Sequence, residues 1–229
     1  MATMNLYALL GICFIPAAFF FALAIILNKN LKIRFCLWAC LLALVTVIPT
    51  SMIQFYVLSL PIFTATTFAA VMITAILFNG LIEESMKMFF MCLIPQKKQV
   101  LSAYFCCVIL YGLTVGGFES VIYVIKKFQE IQGQGGKEIV VHLLIDRIFS
   151  AQTIHTFCAG LSGLYIWNFR RHKKNIMPFI YAVLLHGIYN FFASFNSMYH
   201  WLAVVAILFA AVECRIFYLS AIDKNEITE

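Results

Sequence analysis

The sequence predicts an all-α integral membrane protein with about seven transmembrane helices. Of its 229 residues, 63% are hydrophobic and only 11% are charged, whereas a soluble domain carries roughly 25% charged residues. The apolar residues fall in runs long enough to cross a hydrocarbon core as helices, which takes about 20 residues. Because no long polar stretch separates these runs, we expect one polytopic membrane domain over residues 1–229.

The seven predicted spans follow one another with short connectors. They lie near 5–27, 35–58, 63–94, 100–126, 140–168, 175–194 and 198–220. The third and fifth spans are long enough to tilt or to contain a break. Pro49 is expected to kink the second span, a distortion that membrane helices tolerate.

The charges of the connectors predict the orientation. Three connectors are basic: "NKNLKIR" (28–34), "PQKKQ" (95–99) and "RRHKKN" (170–175). The connectors at 59–64 and 194–200 contain neither lysine nor arginine. The positive-inside rule therefore predicts an external N-terminus and a cytoplasmic C-terminus in the cytoplasmic membrane. The Gly- and Gln-rich segment 129–136 would be the long external loop, and we expect it to be mobile.

Composition also argues against other classes of protein. The net charge of +6 is explained by the basic connectors, so we expect no nucleic-acid partner. The eight cysteines lie in or beside apolar runs. They lack the loop spacing of a disulfide framework, and we interpret them as small core residues.

Ionisable and polar residues within the spans are the candidate functional residues, because charge is costly in a bilayer and usually faces a bundle interior. The third span carries Glu83, Glu84 and Lys87, the fourth Glu119 and Tyr123, the fifth Asp146, Arg147 and His155, and the sixth His186 and Asn190. The first, second and seventh spans are nearly free of charge, which predicts peripheral scaffolding. We therefore expect a catalytic core at about 63–194.

Depth suggests that some of these residues share a site. At 1.5 Å rise per residue, Glu84, His155 and His186 fall near the midplane of the bilayer or slightly outward of it. By the same count, Glu119, Tyr123 and Arg147 lie at the outer boundary of the hydrocarbon core. Three titratable groups at similar depth on different helices predict one shared site.

Structural roles are alternatives for each residue. Glu83 and Lys87 are spaced i,i+4 and could neutralise each other, which would leave Glu84 free, although the opposite assignment stays open. Glu119 and Arg147 could form an ion pair. His155 could be a hydrogen-bonded core histidine. His186 and Asn190 of the sixth span could serve only to form hydrogen bonds with neighbouring helices.

Four motifs in order carry a family resemblance. They are "EESMK" (83–87), "FESVIY" (118–123), "DRIFSAQTIH" (146–155) and "HGIYN" (186–190). With this order the chain resembles the PrsW-type intramembrane proteases, within the wider superfamily of CAAX-processing and bacteriocin-processing membrane proteases. The resemblance covers roughly residues 63–194.

The resemblance implies a membrane-embedded endopeptidase of the glutamate type. Glu83 or Glu84 would activate the water, and His186 with Asn190 would stabilise the oxyanion. Glu119 and His155 match further motif positions. The wider superfamily commonly has a histidine four residues after the motif phenylalanine, where this chain has Ile122, so His155 is expected to supply that imidazole. Supporting positions would be Lys87, Tyr123 and Arg147.

Cofactor and function keep alternatives at this point. No cofactor is expected, and the alternative is zinc held by Glu84, His155 and His186. The expected substrate is a membrane-anchored protein in the lipid bilayer, and by resemblance an anti-sigma factor or a peptide precursor. The alternative functions are a proton-coupled transporter and a non-enzymatic immunity or partner protein. The sequence leaves the oligomeric state open.

Overall fold

The computed structural model describes residues 5–63, 67–97, 99–131, 137–195 and 198–226, with backbone only for 137, 198 and 223–226. Ten α-helices are found in these ranges: α1 Leu6–Ile12, α2 Ile15–Leu27, α3 Ile33–Leu58, α4 Phe68–Ile73, α5 Gly80–Met91, α6 Leu101–Glu130, α7 Lys137–Phe149, α8 Ala151–Phe169, α9 Met177–Ala193 and α10 Trp201–Glu226. A π-helical turn, Thr74–Asn79, joins α4 to α5 without a break. No strand occurs among the described residues, and the predicted all-α fold is confirmed.

Several of these helices are long and apolar enough to cross a membrane. Four meet this condition: Ile33–Leu58, Phe68–Met91, Leu101–Glu130 and Trp201–Ile222. The bent pair α1 and α2 raises the number to five if it forms one span. The protein is therefore a multi-pass membrane protein, whereas seven spans and the orientation of the termini stay predictions.

The predicted spans differ in how continuous they are. The fifth breaks at Ser150, between α7 and α8, as its length suggested. The first bends by 40° between α1 and α2, where Pro16 lies in the first turn of α2 and lacks the N–H that would continue the preceding helix. The second continues through Pro49 as one helix. The predicted external loop 129–136 begins inside α6 and otherwise lies mainly outside the described residues.

The core is built around α8, which is buried along most of its length and packs against α5, α6, α9 and α10. Its polar residues Gln152, His155 and Ser162 are all buried. A Cβ at Gly116 of α6 would lie 2.7 Å from the Cα of Gln152. Glycine therefore lets α6 approach α8 closely, as membrane helices often require.

A second close approach joins the π-helical turn and α5 to α9. A Cβ at Gly80 would lie 2.5 Å from the carbonyl oxygen of Val183, and a Cβ at Gly187 would lie 2.3 Å from the Cα of Ile76. The two backbones are thus in direct contact. This crossing places the beginning of α5 beside the middle of α9.

We expect Gly187→Ala to lower the free energy of unfolding by about 1–3 kcal/mol, because the added methyl group must displace backbone atoms of the π-helical turn. Gly11→Ala is the matched control, since a Cβ there meets no atom within 4 Å. Thermal melting of the detergent-solubilised protein measures both. Equal melting temperatures for the two variants would contradict the close approach.

Candidate active site

The structure brings most of the predicted site residues into one contact network at the crossing of α5 and α9. Glu83, Glu84 and Lys87 lie on α5, Glu119 and Tyr123 on α6, Arg147 on α7, His155 on α8, and His186 on α9. The helices that carry these residues pack against one another. The geometric grouping is therefore observed, while the catalytic roles stay predictions.

Glu84 and Lys87 form a buried ion pair. Lys87 Nζ lies 2.7 Å from Glu84 Oε1, and their side chains are 2% and 0% exposed. Ser162 of α8 donates a hydrogen bond to the other carboxylate oxygen, Oε2, at 3.1 Å. The suggested pairing of Glu83 with Lys87 is not the one observed, because Glu84 and Lys87 both point into the bundle. Glu83 lines a cavity instead.

His186 lies between the two glutamates. Its Nδ1 is 2.7 Å from Glu84 Oε1, and its Nε2 is 3.1 Å from Glu83 Oε2. The second contact lacks hydrogen-bond geometry, so Nε2 is buried without a hydrogen-bond partner among the described residues. Glu84 therefore orients the imidazole and leaves the other ring nitrogen directed toward Glu83.

His155 belongs to a second group with Glu119 and Arg147. His155 Nε2 contacts Glu119 Oε2, and Arg147 Nη2 donates to Glu119 Oε1 at 2.9 Å. The guanidinium of Arg147 lies 3.7 Å from the ring centre of Tyr123. The predicted Glu119–Arg147 ion pair is confirmed, and Glu119 additionally holds His155.

The two groups meet through their imidazoles. The rings of His155 and His186 lie edge to face, with centres 4.7 Å apart. The depth count put Glu119 at the outer boundary and His155 near the midplane, yet Glu119 contacts His155 directly. Counting residues along ideal parallel helices cannot include tilt or the break at Ser150, which explains the difference.

A cavity of about 780 Å³ opens onto this network. The site residues that line it are Glu83, Lys87, Glu119, Tyr123 and His155. The remaining wall comes largely from α3, including Thr46, Thr50 and Gln54. The cavity continues to Ser59 and Lys126, at the ends of α3 and α6 that the sequence predicts to be external.

Gln54 and Asn79 are site residues that sequence reasoning missed. Gln54 Nε2 donates to Glu83 Oε1 at 2.7 Å and also contacts Asn79 Oδ1. The second span was predicted to be peripheral scaffolding because it is uncharged, but α3 forms a cavity wall. The available signal was the pair of amide side chains in otherwise apolar segments, since such groups require partners in a membrane.

Asn190 is the one predicted catalytic residue that the structure leaves outside the network. It lies one helical turn beyond His186 on α9 and is half-buried. It is absent from the cavity wall. The predicted role of Asn190 at the oxyanion therefore has no geometric support, and it stays a prediction.

The donor atoms around the cavity fit a metal ion. One ligand atom each from Glu83, His155 and His186 lies within 4.8 Å of the others. Both imidazoles retain one buried nitrogen without a hydrogen-bond partner among the described residues, Nδ1 of His155 and Nε2 of His186. Each imidazole also has its other nitrogen against a carboxylate, Glu119 or Glu84, an arrangement typical of metal-binding histidines.

A second donor group is less suitable. Glu84, Cys158 and His186 also lie within 4.8 Å of one another. Lys87 Nζ, however, already lies 2.7 Å from Glu84 Oε1, and a second cation there would be repelled. The geometry therefore favours Glu83, where the sequence analysis had placed Glu84, as the carboxylate that accompanies the two histidines.

The sequence model that describes the PrsW family of intramembrane metalloproteases matches residues 7–213 of the chain. The chain belongs to this family. The match covers most of the chain, from α1 into α10, and makes the protein a member of a family of membrane-embedded peptide hydrolases. No curated protein and no solved structure matches the chain.

The family also bears on the cofactor. As a PrsW family member the chain is grouped with metalloproteases, and the described residues contain a donor set that fits a metal. The expectation of no cofactor is therefore not supported. The sequence-based alternative, zinc, is compatible with a donor set of two imidazoles and a carboxylate.

Lys87→Met is expected to lower the free energy of unfolding by about 3–5 kcal/mol, because it leaves the carboxylate of Glu84 buried without its cation. Adding Glu84→Gln should recover much of this loss. Lys127→Met is the matched control, since Lys127 forms the same i,i+3 pair with Glu130 on the surface and should change stability by less than about 0.5 kcal/mol. Unfolding in mixed micelles measures all three variants, and similar effects at both lysines would contradict a buried ion pair.

Proposed function

We propose that the protein is an intramembrane endopeptidase in which Glu83 accepts a proton from the attacking water. The observation that carries this proposal is the position of Glu83. Of the three acids in the network, it alone lines the cavity without a lysine or arginine partner among the described side chains. A carboxylate used as a general base must reach its water directly.

Neighbouring groups support Glu83 in this role. Gln54 donates to one of its oxygens and thereby restricts its rotamer, while the other oxygen faces His186 Nε2 at 3.1 Å. A water bound between Glu83 and the imidazoles would be held close to the scissile carbonyl of a substrate in the cavity. Such prior positioning lowers the barrier of a hydrolysis step.

The two histidines provide donors for the remaining steps. His186 is held by Glu84, and His155 is held by Glu119. Without a bound metal ion, an imidazole held at one nitrogen can, once protonated, donate from its other nitrogen to the carbonyl oxygen or the leaving amine. Glu84 and Glu119 thus act on the reaction through the histidines that they orient.

When the metal ion of this family is bound, Glu83, His155 and His186 would instead be its ligands. When bound, a divalent ion such as zinc supplies Lewis acidity, which polarises the carbonyl and makes water more acidic. The role of Lys87 is separate. It keeps Glu84 paired inside the protein and so maintains the orientation of His186.

The substrate we propose is a membrane-anchored protein cleaved in the outer half of the bilayer. The cavity reaches Ser59 and Lys126, the predicted external ends of α3 and α6, and would admit an unwound segment from that side. An anti-sigma factor or a peptide precursor is the candidate class suggested by the motifs. The cytoplasmic membrane is the proposed location, following from the charges of the connectors.

Glu83→Gln is expected to lower kcat by at least about 100-fold, because the amide cannot accept the proton of the water. Glu130→Gln is the matched control on the surface of α6 and should retain the parental rate. The assay uses purified protein in liposomes with a panel of single-span substrates. Full activity of Glu83→Gln would assign the base to another group, and absence of cleavage by the parent on the whole panel would contradict the proposed activity.

Metal binding gives an independent readout of the donor set. We expect His155→Ala and His186→Ala to lower the zinc retained after loading and dialysis, measured by elemental analysis, because each removes one ligand. His142→Ala, an exposed histidine on α7, is the control and should retain the parental content. Equal zinc in all four proteins would place the bound ion elsewhere.

A further inference from the structure

A second cavity lies at the opposite end of α3 from the candidate active site. Its volume is about 410 Å³, and it is lined by Arg34, Phe35, Pro95, Gln96, Lys97 and Arg170. Arg34 is at the beginning of α3, whereas the first cavity reaches the end of the same helix at Leu58. The 26 residues of α3 separate its two ends by roughly 39 Å at 1.5 Å per residue.

Three cations from three connectors converge on this cavity. Arg34 ends the first basic connector, Lys97 lies in the second, and Arg170 begins the third. None of the three forms an ion pair with a carboxylate whose side chain the structure describes. Arg170 donates one N–H to the carbonyl oxygen of Cys92, which leaves further guanidinium donors free. The cavity therefore concentrates positive charge that no described side chain neutralises.

Gln96 adds an independent indication of a ligand. Its side chain lines the cavity and is only 2% exposed. Neither its Nε2 nor its Oε1 makes a geometrically well-formed hydrogen bond with a described residue, although the hydroxyl of Tyr104, which is also buried and without such a bond, lies beside it. A buried amide without partners destabilises the protein, and a polar ligand in the cavity would satisfy it.

The connector that carries Gln96 is held in place. Trp38 Nε1 donates to the carbonyl oxygen of Leu93 at 3.2 Å, and Gln99 Nε2 donates to the carbonyl oxygen of Pro95 at 2.5 Å. The cavity wall is therefore formed before a ligand arrives, which reduces the entropy lost on binding. Apolar side chains at the same end, including Ile33 and Leu93, are about half exposed and would contact acyl chains.

We propose that this cavity binds a phosphoryl group, with Arg34, Lys97 and Arg170 as its cationic ligands and Gln96 as a hydrogen-bonding partner. Guanidinium and ammonium groups are the usual partners of phosphate oxygens. The predicted cytoplasmic side faces a leaflet rich in anionic lipids, whose headgroups occupy basic pockets between helices. An anionic phospholipid or a soluble phosphorylated compound supplies the same chemistry, and the experiment distinguishes them.

The test measures adducts of the purified full-length protein in neutral detergent by native mass spectrometry. The probes are dioleoylphosphatidylglycerol, dioleoylphosphatidylcholine and glycerol phosphate. The double variant Arg34→Gln/Lys97→Gln is compared with the double variant Lys29→Gln/Lys32→Gln. The second removes the same amount of charge, but from exposed residues of the first connector that do not line the cavity. Melting temperatures of both double variants show that they are folded.

We expect the parent to prefer phosphatidylglycerol over phosphatidylcholine and the cavity variant to lose about tenfold in affinity. The control variant should lose less than about threefold. Gln96→Leu should also bind about tenfold more weakly while remaining as stable as the parent, because it removes an unsatisfied buried amide. Glycerol phosphate binding with the same sensitivity to the variants would assign the site to a soluble ligand instead of a lipid.

Three results would overturn the proposal. The first is equal binding of the two lipids by the parent without any binding of glycerol phosphate. The second is an equal loss in the two double variants, which would reveal diffuse surface charge. The third is unchanged binding by Gln96→Leu, which would remove the buried amide from the site.

Discussion

The buried carboxylate of Glu84 must be neutralised and hydrogen-bonded, and this requirement organises the centre of the protein. Glu84 has no access to solvent, and an unpaired charge at that position would be strongly destabilising. Lys87, Ser162 and His186 together contact both of its oxygens. These partners come from α5, α8 and α9, so the same interactions that neutralise the charge also fix three helices and the orientation of an imidazole.

Backbone contact makes this arrangement possible. Glycines at positions 80 and 187 bring the π-helical turn and α9 together at a distance that side chains would prevent. The insertion of a π-helical turn directly before Gly80 also changes which face of α5 points inward. Glu84 therefore lies buried against Lys87, whereas Glu83 lines the cavity, and this difference between two adjacent glutamates follows from helix rotation.

Helix α3 connects the candidate active-site cavity to the basic cavity. Its Gln54 holds Glu83 in the candidate active-site cavity, and its Arg34 contributes to the basic cavity at the other end. A phosphoryl ligand at the basic cavity would hold the beginning of α3 against the connectors at Lys97 and Arg170. The occupant of one cavity would therefore stabilise the helix that forms a wall of the other.

The sequence by itself determined the all-α membrane class, the family and nearly all members of the site network. Apolar runs, basic connectors and motif order are properties of the sequence, and they can be recognised without knowing how the helices pack. The tertiary structure decided the partners. Glu84 pairs with Lys87, and Glu83 accepts a hydrogen bond from Gln54. Asn190 lies outside the contact network of the site. Pairing depends on helix rotation, tilt and the break at Ser150, none of which a count along ideal helices contains. For that reason the sequence predicted candidate site residues, and only the packed helices showed which of them face the cavity.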